Sequence, residues 1–164
     1  MAVGLGMKIL VAYDGSVPAE AAVEEVVRRP WPAGTEVRLV TVIEPPLPLD
    51  SGNGEVVYAP LLERVRSTQR EEAYHGVQRA LERFEGRHDL TTSCEIREGR
   101  AKHALLDAIQ EWGADLVVAG SDATTGLSRL FLGSVCHALV THAPCNVEVV
   151  RSRAPIPPSQ PRSS

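Results

Sequence analysis

DLVVAGSDATTGLSRLFLGSVCHALVTH, residues 115–142, is the stretch whose reading decides the fold. Asp115 to Ala119 is nearly all apolar, as in a strand covered by helices on both faces. A loop bounded by glycines follows, Gly120 to Ser134, and it runs into a helical pattern from Phe131 to His142. A glycine-bounded loop between a parallel strand and a helix N-terminus is where α/β proteins hold phosphate. Glycine lets the backbone approach an anion, and the first N–H groups of the helix lack internal partners and point at it.

Upstream, Lys8 to Tyr13 (KILVAY) is a short apolar run ending in the turn signal Asp14-Gly15-Ser16. Apolar residues at Ala22, Val23, Val26 and Val27 predict a helix over Ala19–Arg29, stopped by Pro30, Pro32 and Gly34. Glu36–Ile43, rich in β-branched residues, reads as a second strand. Residues 44–60 carry four prolines and two glycines and read as a long irregular loop. Leu61–Phe84 is one long charged helical pattern with a wet face, and Leu90–Arg97 is a third, less apolar strand expected near a sheet edge.

Glu98-Gly99 turns the chain into a helix over Ala101–Trp112, ended by Gly113. Downstream of the opening stretch, Cys145–Arg151 predicts a fifth strand. The domain is read as residues 1–151, and 152–164 as a disordered Pro/Ser/Arg-rich tail. Strands alternating with helices mean βαβ units, a parallel sheet and right-handed crossovers. Such sheets bind ligands at the carboxyl ends of the strands, so the loops after the first and fourth strands are the place to look.

The 164 residues, 43 % hydrophobic and 23 % charged, fit one ordinary domain with a real core. A net charge of −4, with basic residues scattered over helices, argues against nucleic acid. Cys94, Cys136 and Cys145 form no CxxC, and the odd count suggests small buried thiols in a reducing, cytoplasmic compartment. No signal-peptide pattern and no membrane-length apolar run stand out.

His137 and His142 are read as structural rather than as metal ligands, so no metal site is assigned. No catalytic residue is assigned either. There is no Ser-His-Asp order or nucleophile elbow, no GxxxxGK[ST] and no GxGxxG after the first strand.

The combination of KILVAYDGS, LVTVIEP, IREGRAKHALLDAIQEWGADLVVAGS and GLSRLFLGSVCHALVTHAPCNVEVVR resembles the universal stress protein family over residues 7–151. The resemblance implies an open, twisted five-stranded parallel sheet of order 3-2-1-4-5, with helices on both faces. It also implies a homodimer through the last strand, 145–151. Some members of the family bind ATP, and binders share a pattern of Gly, two residues, Gly, nine residues, then Gly with Ser or Thr.

Here Gly120 matches the first glycine and Gly133-Ser134 the last pair, whereas Ala123 replaces the second glycine and Asp122 precedes it. By the same resemblance Asp14 approaches the adenine side and Val42 packs on the base. The implied nucleotide-contact set is Ala12, Tyr13, Asp14, Val42, Gly120, Asp122, Ala123, Gly133, Ser134 and Val135, with ATP and Mg²⁺ as the ligand. If the replaced glycine sits at positive φ, Ala123 costs roughly 1–2 kcal/mol. Asp122 sets a like charge beside a polyanion, at a cost on the order of 1 kcal/mol.

Several readings stay open on the residues alone. Ser134 either caps the last helix or contacts phosphate, Gly133 either meets phosphate or allows a tight approach of helix to sheet, and Asp14 either caps the first helix or meets the ligand. Arg129 either offsets Asp122 or is a solvated loop residue. Glu148, a charge within the last strand, needs a basic partner, for which Arg151 and Arg38 are candidates. Two functions follow: an ATP-binding stress-response or regulatory protein with at most slow hydrolysis that passes its bound state to a protein partner, or an interaction module that binds no nucleotide and has dimerisation as its working property.

Overall fold

The computed structural model describes residues 6–45, 59–121 and 132–152. In chain order the elements are β1 (Lys8–Ala12), α1 (Val17–Arg28), β2 (Thr35–Ile43), α2 (Ala59–Glu82), β3 (Leu90–Glu98), α3 (Ala101–Trp112), β4 (Leu116–Ser121), α4 (Ser134–His142) and β5 (Asn146–Arg151). The strands form one parallel sheet in the order β3-β2-β1-β4-β5. This is the expected 3-2-1-4-5 sheet, and β3 lies at its edge as its polar sequence predicts.

The two faces are covered separately because side chains alternate along each strand. Ile9, Val11, Val37, Leu39 and Val118 pack with Val23 and Val26 of α1 and Val77 of α2. Leu10, Val40, Val117 and Ala119 pack on the other side with Leu105 and Ile109 of α3 and Leu139 of α4. At ~25 cal/mol per Å² of apolar surface, each fully buried Leu or Ile contributes about 2–3 kcal/mol.

The element boundaries shift where capping chemistry overrides periodicity. Helix α1 begins at Val17 rather than Ala19, because the Ser16 hydroxyl caps it by accepting from the Ala19 N–H at 3.3 Å, and Pro18 fits the first turn. Helix α2 begins at Ala59, so the irregular segment read as 44–60 ends earlier, with Pro60 again in a first turn. Helix α4 begins at Ser134 with Gly133 as its N-cap, three residues later than its apolar pattern suggests. Strand β4 runs on through Gly120 to Ser121, laddered to Val150 and Arg151 of β5.

The expectation of buried thiols holds for Cys136 alone, since Cys94 and Cys145 are partly exposed. The tail beyond Ser152, most of the proline-rich segment and positions 122–131 lie outside the described residues.

Candidate functional site at the carboxyl ends of β1, β2 and β4

In this strand order β1 and β4 are neighbours whose following helices, α1 and α4, cover opposite faces. That is the topological switch point at which open α/β sheets leave a crevice. Ala12 stands in register with Val40 on one side and Ala119 on the other. Two alanines side by side leave the α3/α4 face underfilled there, and a cavity of about 120 Å³ results. Its walls are the ends of β1, β2 and β4 with the first turns of α3 and α4, including Val42, Leu105 and Cys136.

Of the residues the sequence singles out, Ala12, Tyr13, Asp14, Val42, Gly120 and Val135 line this cavity. Gly133 and Ser134 stand exposed at the start of α4, beside Val135. Asp122, Ala123 and Arg129 fall outside the described residues. The sequence reading missed Ser16, Val40, Ala101, Leu105 and Cys136 as lining residues. Apolar residues in strand and helix patterns read as core, and only the register shows that these stand at the open end of the sheet.

Three helices, α1, α3 and α4, present their N-termini near this edge, and their capping differs. On α1, Ser16 is the cap, and Asp14 accepts from the Ser16 N–H at 3.0 Å across the turn at Gly15 (φ 78°). The reading of Asp14 as the cap is thereby corrected: its side chain is too far back along the chain and instead braces the turn. On α3, the Glu44 carboxylate at the end of β2 accepts from the Ala101 N–H at 2.9 Å. On α4 the N-cap is Gly133, which has no side chain to offer. Ser134 is the first helical residue, so it does not cap the helix, contrary to one of its two readings.

The two flanking glycines differ in kind. A Cβ on Gly120 would stand 2.0 Å from the Pro18 carbonyl oxygen, so this glycine is needed for α1 to lie against β4. Among the described residues a Cβ on Gly133 would have no neighbour within 4 Å, so tight helix–sheet packing does not explain that glycine. Its φ of −55° is open to any residue.

Tyr13 is buried, and its hydroxyl donates to Glu20 at 2.5 Å. Burial first, and then the Glu20 carboxylate, push its pKa up to about 12. The Cys136 thiol donates to the Gly120 carbonyl at 3.3 Å. Burial, with Asp14 adding to it, raises this thiol above its ordinary range and keeps it protonated and unreactive.

Glu148 finds a basic partner, but neither of the expected ones. Arg29, just past the end of α1, donates both terminal nitrogens to its carboxylate at 2.7 Å, and donates to Glu25 through Nε. Arg38 is occupied elsewhere, 3.4 Å from Glu95 and stacked 4.4 Å over Trp112. Arg151 lies at the exposed end of β5, opposite Ser121 in the ladder. His137 and His142 are exposed on α4. Among the described residues no helix is long and apolar enough to cross a membrane.

The sequence model of the Universal stress protein family matches residues 7–151. A putative universal stress protein of Staphylococcus haemolyticus is 32 % identical over 145 residues, covering 88 % of this chain and 84 % of that protein. The solved structure of universal stress protein UspA from Lactobacillus plantarum is 28 % identical, with a TM-score of 0.64 over 88 % of this chain and 97 % of that one. A universal stress protein family protein from Arabidopsis thaliana, solved with AMP bound, is 16 % identical with a TM-score of 0.64, over 90 % of this chain and 93 % of that one.

Proposed function

The chain belongs to the universal stress protein family, and on that premise we propose that it is a regulatory, stress-response protein that binds an adenine nucleotide where β1, β2 and β4 end. The single observation that carries this is the difference among the three helix N-termini at the site. Those of α1 and α3 each have an N–H taken by a side chain, Ser16 and Glu44, whereas among the described residues α4 meets the cavity mouth with a glycine cap and no side-chain acceptor. Free N–H groups at a positive helix end call for an anion.

The base enters between Val42 and the first turn of α3, in a cavity far smaller than the ~300 Å³ at which whole-ligand pockets begin. Sugar and phosphates then lie outside it, toward Gly133 and Ser134. The exposed Asp14 carboxylate keeps one oxygen for ribose hydroxyls while the other holds the turn. The plant relative solved with AMP bound shares the fold and supports nucleotide binding on it. ATP with Mg²⁺ is the ligand proposed, held in the cytoplasm and read by a partner protein. Among the described residues the one carboxylate lining the cavity, Asp14, is engaged in bracing its turn, and on that ground hydrolysis is proposed to be slow at most.

The identities of Asp122 and Ala123 favour a second reading, a dimeric interaction module of the same fold that binds no nucleotide. Calorimetric titration with ATP and Mg²⁺ separates the two. Binding tightened in Ala123→Gly and in Asp122→His supports the first reading, and no heat or thermal shift at millimolar ATP supports the second.

A further inference from the structure

Tyr13 stands where the chain leaves β1 for the turn that carries Asp14. Its main chain prolongs the β1–β2 ladder past Ala12, the Tyr13 N–H donating to the Val40 carbonyl at 2.9 Å, and there it borders the nucleotide cavity. Its side chain follows the alternation of the strand to the opposite face. Val11 and Tyr13 pack with α1 and α2, whereas Ala12 packs with α3 and α4. The ring lies against α2, 3.9 Å from where a Cβ on Gly76 would stand. The hydroxyl is thus turned away from a base held between Val42 and α3.

That hydroxyl closes a ring of hydrogen bonds around the turn. It donates to the Glu20 carboxylate at 2.5 Å. The Glu20 N–H donates to the Ser16 carbonyl at 2.9 Å, and the Ser16 N–H donates to Asp14 Oδ1 at 3.0 Å. The peptide bond between Tyr13 and Asp14 completes the ring, with Gly15 at φ 78° inside it. The other Glu20 oxygen lies 3.5 Å from Arg83, which holds the carboxylate in place for the tyrosine. A phenylalanine would fill the same buried space, so packing alone does not call for the hydroxyl. Its effect falls on Asp14, which is exposed and commits Oδ1 to the turn, leaving Oδ2 toward a ligand.

We infer that Tyr13 is a positioning residue for the sugar of the bound nucleotide: through Glu20 it fixes the turn so that Asp14 Oδ2 meets the ribose hydroxyls. This rests on the nucleotide reading above and assigns Tyr13 a role without contact between its hydroxyl and the ligand. A turn already ordered in the free protein need not be ordered on binding, and that difference is worth roughly a factor of five to ten in affinity.

The test compares AMP with 2′,3′-dideoxyAMP by calorimetry on the full chain. The parent should prefer AMP by about tenfold, since the analogue leaves Asp14 without its hydroxyl donors. Tyr13→Phe should weaken AMP about fivefold while the analogue stays within about twofold of its parent value, so that most of the preference disappears. Glu20→Ala should do the same with the ring intact, and Glu20→Gln, which keeps an acceptor, should retain the preference. On an Asp14→Ala background, Tyr13→Phe should change neither affinity. A residue that only packs would shift both ligands alike, and the urea midpoint of each variant separates lost folding from lost positioning. Equal weakening of both ligands in Tyr13→Phe overturns the proposal. A parent that binds AMP and keeps its full preference in Tyr13→Phe overturns this role alone, whereas a parent that binds neither ligand overturns the nucleotide reading and this role with it.

Discussion

A Cβ at position 120 would stand 2.0 Å from the Pro18 carbonyl oxygen, and one at position 133 would meet nothing within 4 Å among the described residues. Gly120→Ala must therefore push α1 off β4, at about 1–3 kcal/mol, seen as a lower urea midpoint. Gly133→Val should cost no more than about 1 kcal/mol, the price of a poor N-cap, yet remove most nucleotide affinity by crowding the helix end. Comparable destabilisation in the two variants would contradict this division of labour. Tyr13 gives a second test at this scale. Its folded-state pKa of about 12 lies above the unfolded value near 10, so its stabilisation is complete below pH 10 and lost as pH rises toward 12. The loss should reach about 2–3 kcal/mol, and Tyr13→Phe should flatten it. Urea unfolding at pH 9 and pH 11.5 measures the difference.

Among the elements, α3 takes its start from a carboxylate on a different strand: Glu44 binds the Ala101 N–H, and Arg100 supplies no cap of its own. Glu44→Ala should lower stability by about 1 kcal/mol and loosen the wall beside Leu105, read as faster amide exchange over Ala101–Leu105. No sequence signal marks this contact, because 57 positions separate the partners. The same limit explains which parts of the chain were legible. The β-branched runs 36–43 and 116–119 and the Gly113 stop gave the strands and α3 directly, since those signals are local. The start of α1 was missed because Ser16 and Pro18 form a cap ahead of the apolar pattern. The Glu148 partner was missed because Arg29 reaches it through the packing of α1 on β5, which residue types alone do not reveal.

For the whole molecule, the Arg29–Glu148 pair bears on how two copies would meet. Neutralised within the chain, Glu148 adds little repulsion at the β5 edge, and this favours the proposed homodimer through that strand. Glu148→Arg both unpairs Arg29 and stacks like charges there, so sedimentation should show a weaker dimer. A parent chain that sediments as a monomer at all concentrations would refute the dimer itself. The family and the sheet order were readable because several motifs occur in one order along the chain. The ligand was not, because the decisive features are a helix end that no described side chain caps and a gap between alanines set by strand register. The central claim is therefore about place, and an amide-resolved NMR titration with AMP tests it most directly. The account predicts the largest shifts at Ser134, Val135 and Cys136, with a second set at Tyr13, Asp14 and Val42. Saturable binding that leaves the start of α4 unshifted would contradict it.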